Sequence, residues 1–228
     1  MWPLTDITVY FDNEQEPWTD FRYETNYISD MYHNRLNGYK PPKTGRICLH
    51  LRDKKIFEKP NYIGAICSYD IEFDFAKYKA IEKKSDRYKF MLDSVHKTIL
   101  EIAKTLNWDK EVFMKSYDSI LRDDFKFIKE YPTKISRDKK TVGQITIEKT
   151  ETKTILKLKI NNGQNIETKL IEKKNWFWFD SGYQLADKMK WIDKNNFGYK
   201  SKKTDKEVYY SLLDRRVVKN FEFKDEDF

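Results

Sequence analysis

The sequence predicts an α+β fold, in which N-terminal strands and a helical hairpin are followed by a C-terminal antiparallel β-meander. Three observations lead to this prediction. Apolar and polar residues alternate in short segments before residue 75, apolar residues recur every three or four positions between 84 and 131, and alternation returns after residue 141. Alternation is the period of a half-buried strand, whereas spacings of three and four mark one face of a helix.

The N-terminal part is predicted to hold three strands and one helix. The alternating segments that predict the strands are 6–12, 45–51 and 63–75. A helical pattern covers residues 18–36, and Gly38 follows it at the position where a glycine commonly ends a helix. Pro41 and Pro42 exclude helix from the next segment, because each lacks an N–H donor.

Two helices are predicted next. An apolar seam runs from Tyr88 to Leu106 in steps of four and three residues, and a second seam runs from Phe113 to Tyr131. Asp109 is placed to cap the N-terminus of the second helix. Only residues 107–109 separate the two patterns, which predicts an antiparallel helical hairpin over about 84–131.

The last third of the chain is predicted to be a succession of strands. They are expected at 145–147, 156–160, 166–170, 175–180, 189–193, 197–201 and 207–213. The Asn-Asn-Gly-Gln sequence at 161–164 predicts a hairpin turn. The change of period places a domain limit within 132–141, between a first part over 1–134 and a second over 141–228. The pattern leaves open whether the two parts share one core.

Composition favours a folded protein of the cytoplasm. Aromatic residues make up 16% of the chain, whereas glycine and proline number only seven and six. The first residues lack the basic and apolar regions of a secretory signal, and no apolar run approaches the ~18 residues of a membrane span. Cys48 and Cys67 lie in strand patterns and are predicted to be buried thiols rather than a disulfide.

The net charge of +7 raises the possibility of a nucleic-acid partner. The charge is diluted along the chain, however, with −3 over residues 1–75, +6 over 76–140 and +4 over 141–228. None of these segments is a polybasic arm. Nucleic-acid binding is therefore kept as an alternative function and not as the first.

A Lys-Thr-Gly triplet at 43–45 and a Ser-x-x-K sequence at 94–97 resemble fragments of a serine acyl-enzyme site. Ser94 and Lys97 flank the apolar seam of a predicted helix, which predicts that both face solvent. A solvated lysine keeps a pKa near ~10.4 and is not a base at neutral pH. The two motifs also occur in the wrong order, so we interpret them as chance matches.

The segment Asp-Ile-Glu-Phe-Asp places Asp70, Glu72 and Asp74 on one face of a predicted strand. Carboxylates ~7 Å apart along a strand could hold a divalent metal for phosphodiester cleavage, so a metal-dependent nuclease is the less favoured alternative. The favoured interpretation is an acidic strip that meets a basic partner. Cys48 and His50 lack the paired spacing of a zinc site, and no cofactor or metal is predicted.

Aromatic residues alternate with lysines in the last third, where Trp176, Trp178 and Trp191 are the largest side chains. Such rings can stack on single-stranded bases, but they more often form core on one face and a protein interface on the other.

Together these features predict a non-enzymatic protein that binds another protein, of the immunity or antitoxin type that neutralises a bacterial toxin. Its expected contacts are Asp70, Glu72, Asp74, Trp176, Trp178 and Trp191.

Overall fold

The structure, a computed structural model, describes residues 4–11, 19–175 and 182–222. The chain divides into two compact units, residues 1–126 and 127–228. Helices in the first unit and antiparallel sheets in the second confirm the α+β class. The division falls earlier than the limits of 134 and 141 suggested by the sequence, because two short strands between residues 127 and 135 pair within the second unit.

The first unit holds four strands and four helices among its described residues. In chain order they are β1 (Asp6–Phe11), α1 (Thr19–Arg35), β2 (Arg46–Arg52), β3 (Asn61–Ile63), β4 (Ile66–Glu72), α2 (Phe75–Ala80), α3 (Lys84–Thr105) and α4 (Lys110–Arg122). Strands β1, β2 and β4 are parallel neighbours, and β3 pairs antiparallel with β4 at the sheet edge. Helix α1 makes the crossover that the parallel pair β1–β2 requires.

The strands predicted at 6–12 and 45–51 and the helix predicted at 18–36 are confirmed as β1, β2 and α1. The strand predicted over 63–75 is wrong at both ends. Gly64 adopts a positive φ of 59° in the turn that joins β3 to β4, and the backbone leaves the sheet after Glu72. Asp74 instead caps helix α2, where its carboxylate accepts a hydrogen bond from the Lys77 N–H.

Helices pack against the parallel sheet of the first unit. Helix α1 contacts β1 and α3 contacts β4, and the side chains of Ile47, Leu49 and Leu51 on one face of β2 are at most 1% exposed. Burying each such side chain contributes roughly 1.5–3 kcal/mol. The apolar alternation seen in the sequence therefore forms the core of this unit.

One buried carboxylate joins three helices of the first unit. Glu24 of α1 is 2% exposed, and it accepts hydrogen bonds from the Tyr78 hydroxyl of α2 and, at 2.7 Å, from the Arg87 guanidinium of α3. The Glu24 carboxylate is the main reason that the pKa of Arg87 is raised. The Glu24 carboxylate thus links α1 to α2 through Tyr78 and to α3 through Arg87.

The helical hairpin is confirmed, and its second helix is shorter than predicted. Helix α4 ends at Arg122 because Asp124 and Phe125 adopt positive φ values of 48° and 55°, which an α-helix does not accommodate. The predicted extension to Tyr131 is wrong. Phe127 and Tyr131 belong to the second unit, where they are 3% and 7% exposed.

Within residues 127–175 and 182–222, the second unit holds two antiparallel sheets. Its elements are β5 (Phe127–Glu130), β6 (Lys134–Ile135), β7 (Val142–Lys149), β8 (Lys153–Asn161), β9 (Asn165–Lys174), α5 (Gly182–Lys188), β10 (Lys190–Trp191), β11 (Asn196–Lys200), β12 (Glu207–Ser211) and β13 (Arg216–Lys219). The first sheet has the order β5-β7-β8-β9 with β6 beside β7, and the second has the order β10-β11-β12-β13. The antiparallel pairing is as predicted, but α5 interrupts the meander and β13 was not anticipated.

The two sheets of the second unit share one apolar core. Ile147 and Leu158 of the first sheet and Phe197 and Val208 of the second are fully buried. Gly143 of β7 lies so close to Phe197 that an added Cβ would come within 2.6 Å of the ring. Only glycine permits this approach.

The predicted turn at 161–164 is also present, with Gly163 at a φ of 92°.

Candidate functional site

Asp70, one of the three carboxylates singled out by the sequence, is fully buried. Its side chain is 0% exposed. One oxygen, Oδ1, accepts a hydrogen bond from Arg52 Nε at 3.0 Å, and the other, Oδ2, accepts from the backbone N–H groups of Ile56 and Phe57 at 2.7 and 3.0 Å. Burial alone would raise the pKa of Asp70, but these donors outweigh burial and hold the pKa below its usual value.

Sheet register brings Asp70 to these donors. Strands β2 and β4 are parallel, and Arg52 pairs with Glu72. Because side chains alternate between faces, Arg52 and Asp70 point to the same face as diagonal neighbours. The chain leaves β2 after Arg52 and passes over the Asp70 carboxylate before it enters β3.

The segment between β2 and β3, residues 53–60, is a loop that displays two apolar side chains. Ile56 is 64% exposed and Phe57 is 37% exposed. Lys55 fixes the same loop to the helices, since its ammonium group binds the Glu101 carboxylate at 2.6 Å and lies 4.7 Å from the centre of the Tyr69 ring. We call residues 53–60 the display loop.

The display loop was missed by sequence reasoning, although a signal was available. Its sequence, Asp-Lys-Lys-Ile-Phe-Glu-Lys-Pro, places one apolar pair inside an otherwise charged segment between two strands. Ile63, on the edge strand β3 that follows, is also 71% exposed. Isolated exposed apolar residues are common on surfaces, but a pair on a loop anchored by a buried carboxylate is an ordered apolar surface.

The predicted carboxylate strip is not formed. Asp70 is buried and bound by protein donors, Glu72 is exposed at the end of β4, and Asp74 is exposed at the start of α2. The strip was expected to be a row of acidic groups on one wet strand face. Instead, Asp70 positions the display loop, and only Glu72 and Asp74 are accessible.

The two cysteines, Cys48 and Cys67, lie on the neighbouring strands β2 and β4. Both Cys48 and Cys67 are buried and not bonded to each other, and burial raises the pKa of Cys67 to about 11. The Cys67 thiol is therefore protonated at neutral pH, whereas metal ions bind the thiolate. Within residues 4–11, 19–175 and 182–222, no group of three or more His, Cys, Asp or Glu residues is placed to hold a metal ion.

Of the three tryptophans expected at a partner surface, Trp176 and Trp178 lie outside the described residues. Trp191 is part of the second unit's packing. Its indole N–H donates a hydrogen bond to the Lys134 carbonyl at 2.8 Å, and its ring packs nearly perpendicular to the Phe197 ring with centroids 5.2 Å apart. These contacts give Trp191 a structural role.

The fragments of a serine acyl-enzyme motif are engaged elsewhere. The Ser94 hydroxyl donates to the Phe90 carbonyl of its own helix at 2.8 Å. Thr44 is 2% exposed, and its hydroxyl binds the Pro42 carbonyl and the Tyr62 hydroxyl. Lys97 is exposed, as predicted. Both hydroxyls thus stabilise local structure.

A histidine on the helical hairpin has a perturbed environment. His96 of α3 stacks on Tyr117 of α4 with ring centroids 4.3 Å apart, and its Nδ1 lies 2.7 Å from the Tyr32 hydroxyl. Burial lowers the pKa of His96, against the charges of Asp118 and Asp93, which raise it. The neutral imidazole is therefore the form that the folded state favours.

This lowered pKa predicts a pH dependence of stability. In the unfolded chain, the pKa of a histidine is about 6.5, so the unfolded chain binds more protons at this site in mildly acidic solution. The stability that neutral His96 contributes to the folded state is therefore lost as pH falls below about 6.5. We expect the free energy of unfolding in urea to decrease from about pH 7 to about pH 5, and to decrease less in His96→Asn. Equal pH dependence in the two proteins would contradict this assignment.

A comparison with models of known protein families, with curated proteins and with solved structures finds no significant match to this chain. None of the helices in the described parts of the chain is long and apolar enough to cross a membrane.

Proposed function

We propose that this chain is a non-enzymatic protein that binds another protein, of the immunity or antitoxin type that neutralises a bacterial toxin. The observation that supports it best is the display loop, where Ile56 and Phe57 are exposed while their backbone N–H groups are held by buried Asp70. When a partner removes such exposed apolar side chains from water, the free energy of the system falls, which favours binding.

The rigidity of the loop favours tight binding. When a flexible loop becomes ordered on association, the free-energy cost of ordering it weakens the affinity. The Asp70 carboxylate and the Lys55–Glu101 ion pair order this loop before any partner arrives. An apolar pair held in this way has the properties of binding hot spots, which are few, central and desolvated on binding.

Charges beside the loop suggest the kind of partner. Glu72 follows Asp70 by two residues on β4 and is exposed, and Asp74 is exposed two residues later. These carboxylates would face a basic surface, such as that of a nuclease toxin, and complementary charge speeds association. Trp176 and Trp178 stay in the proposal as predicted contacts, whereas Asp70 and Trp191 become supporting residues.

The alternative of a metal-dependent nuclease is less favoured, because both oxygens of Asp70 accept hydrogen bonds from protein donors. The nucleic-acid alternative is likewise weakened at Trp191, whose indole is engaged by Lys134 and Phe197. We therefore favour protein binding over both.

Co-purification tests the proposal. An affinity-tagged chain expressed in its own organism is expected to capture one stoichiometric partner, and Ile56→Asp/Phe57→Asp is expected to lose it. The matched control is Ile135→Asp/Leu213→Asp, since these side chains are 62% and 75% exposed elsewhere. The control should capture the partner as the wild type does.

A growth assay then tests neutralisation. The captured partner, expressed alone, is expected to arrest growth; co-expression of the wild type should restore growth, and the Ile56→Asp/Phe57→Asp variant should not. A partner that is harmless alone would contradict the toxin proposal. Capture that is unaffected by the display-loop variant would contradict the proposed site.

A further inference from the structure

A second surface of the first unit, on the helical hairpin, carries several exposed lysines. Helices α3 and α4 border a shallow groove of about 620 Å³, and Lys97, Leu100, Lys104, Lys110 and the stacked His96 and Tyr117 line it. We call it the hairpin groove. Lys97, Lys104 and Lys110 are exposed.

The two carboxylates that also line the hairpin groove are already neutralised. Asp93 binds Lys89 at 2.7 Å and accepts a hydrogen bond from the Tyr117 hydroxyl at 2.7 Å. Glu101 binds Lys55 of the display loop at 2.6 Å.

Among the residues that the structure describes, no carboxylate lies within ion-pair distance of Lys97, Lys104 or Lys110. The groove therefore has an excess of positive charge that its own acidic residues do not cancel.

The floor of the groove includes one apolar side chain. Leu100 is half-buried and lies between Lys97 and Lys104 in the sequence of α3.

We propose that the hairpin groove binds an acidic segment of a protein. Lys97 and Lys104 lie seven residues apart on α3, which corresponds to ~10.5 Å along the helix. Acidic side chains at i and i+7 of a helix that lies along α3 match this distance. An apolar residue between them would contact Leu100.

Nucleic acid fits the same groove less well. A phosphate backbone carries charge at every nucleotide, and it would meet the carboxylates of Asp93 and Glu101 as well as the lysines. His96 and Tyr117 also stack on each other, which covers one face of each ring. A peptide can place its acidic groups at the lysines alone.

This inference rests on the charges of the groove and does not depend on the proposed function. The probe is a fluorescein-labelled helical peptide with Glu at positions i and i+7 and Leu at i+4. A second peptide with Gln in place of both Glu residues is its control. Fluorescence anisotropy of the wild type should show binding of the Glu peptide, at least tenfold tighter than binding of the Gln peptide.

Charge-matched variants locate the binding. Lys97→Glu/Lys104→Glu/Lys110→Glu changes the net charge from +7 to +1, as does the control Lys140→Glu/Lys202→Glu/Lys203→Glu. The control lysines are all exposed. We expect at least tenfold weaker peptide binding in the groove variant and near wild-type binding in the control. Single Lys→Gln changes at 97 and 104 should each weaken binding two- to threefold, which keeps the test independent of any folding defect in the triple variant.

Three outcomes would overturn the inference: no binding of the Glu peptide, equal loss in both triple variants, or tighter binding of a labelled ten-nucleotide RNA than of the peptide. Ile56→Asp/Phe57→Asp is expected to bind the peptide like the wild type. Failure of the display-loop proposal is thereby distinguishable from failure of the groove proposal.

Discussion

Glu24→Ala is expected to lower the free energy of unfolding by about 3–5 kcal/mol, the range for removing one partner of a buried ion pair. The Glu24 side chain is 3% exposed and binds the Arg87 guanidinium. Its removal takes away the acceptor of the Tyr78 hydroxyl bond and the ionic partner of Arg87, which keeps only its bonds to the Ile81 and Glu82 carbonyls. The variant also loses the contact that joins α1 to α2 and α3.

Urea unfolding measured by circular dichroism tests this expectation, with Lys89→Ala as the control. Lys89 and Asp93 form an ion pair on α3 whose side chains are 51% and 45% exposed, and such surface pairs contribute at most about 1 kcal/mol. A Glu24→Ala effect no larger than the Lys89→Ala effect would contradict the assigned role.

Asp70→Ala is expected to cost about 3 kcal/mol and to release the display loop. The change removes the acceptor of the Ile56 and Phe57 N–H groups and the partner of Arg52. Each unsatisfied group costs about 1–3 kcal/mol when it stays buried, and the loop can regain hydrogen bonds to water only by leaving its position.

Hydrogen exchange separates the local effect from the global one. In Asp70→Ala, the amides of Ile56 and Phe57 should lose protection more than the amides of β4 do. The control is Asp74→Ala, which removes the α2 cap at a cost of about 1 kcal/mol and should leave these two amides protected. Unchanged protection in Asp70→Ala would show that other contacts hold the loop.

The sequence predicted those parts of the fold that local patterns specify. Strands β1, β2 and β7 to β9 were recognised by alternation, and the hairpin by its apolar seams. The end of α4 was not, because the left-handed residues Asp124 and Phe125 carry no distinctive side chain. Short elements such as α5 and β13 were missed because a few apolar residues fit a helix and a strand equally well.

The candidate site depended on tertiary contacts that a sequence pattern does not contain. Asp70 was recognised as special but interpreted as exposed, because alternation alone places it on the wet face of a strand. Its burial follows from Arg52 and from the loop at 56–57, thirteen or more residues earlier in the chain. Glu24 gave no signal at all, since Tyr78 and Arg87 lie 54 and 63 residues away.

The most direct test of protein binding through the display loop is a calorimetric titration with the purified partner. Ile56→Asp/Phe57→Asp should weaken binding by at least about 30-fold, which corresponds to about 2 kcal/mol. Asp70→Ala should weaken binding as well, and adding it to the double variant should cause no further loss, since both changes act through one loop. Ile135→Asp/Leu213→Asp should bind like the wild type. Wild-type affinity in the Ile56→Asp/Phe57→Asp protein would contradict the proposed binding site.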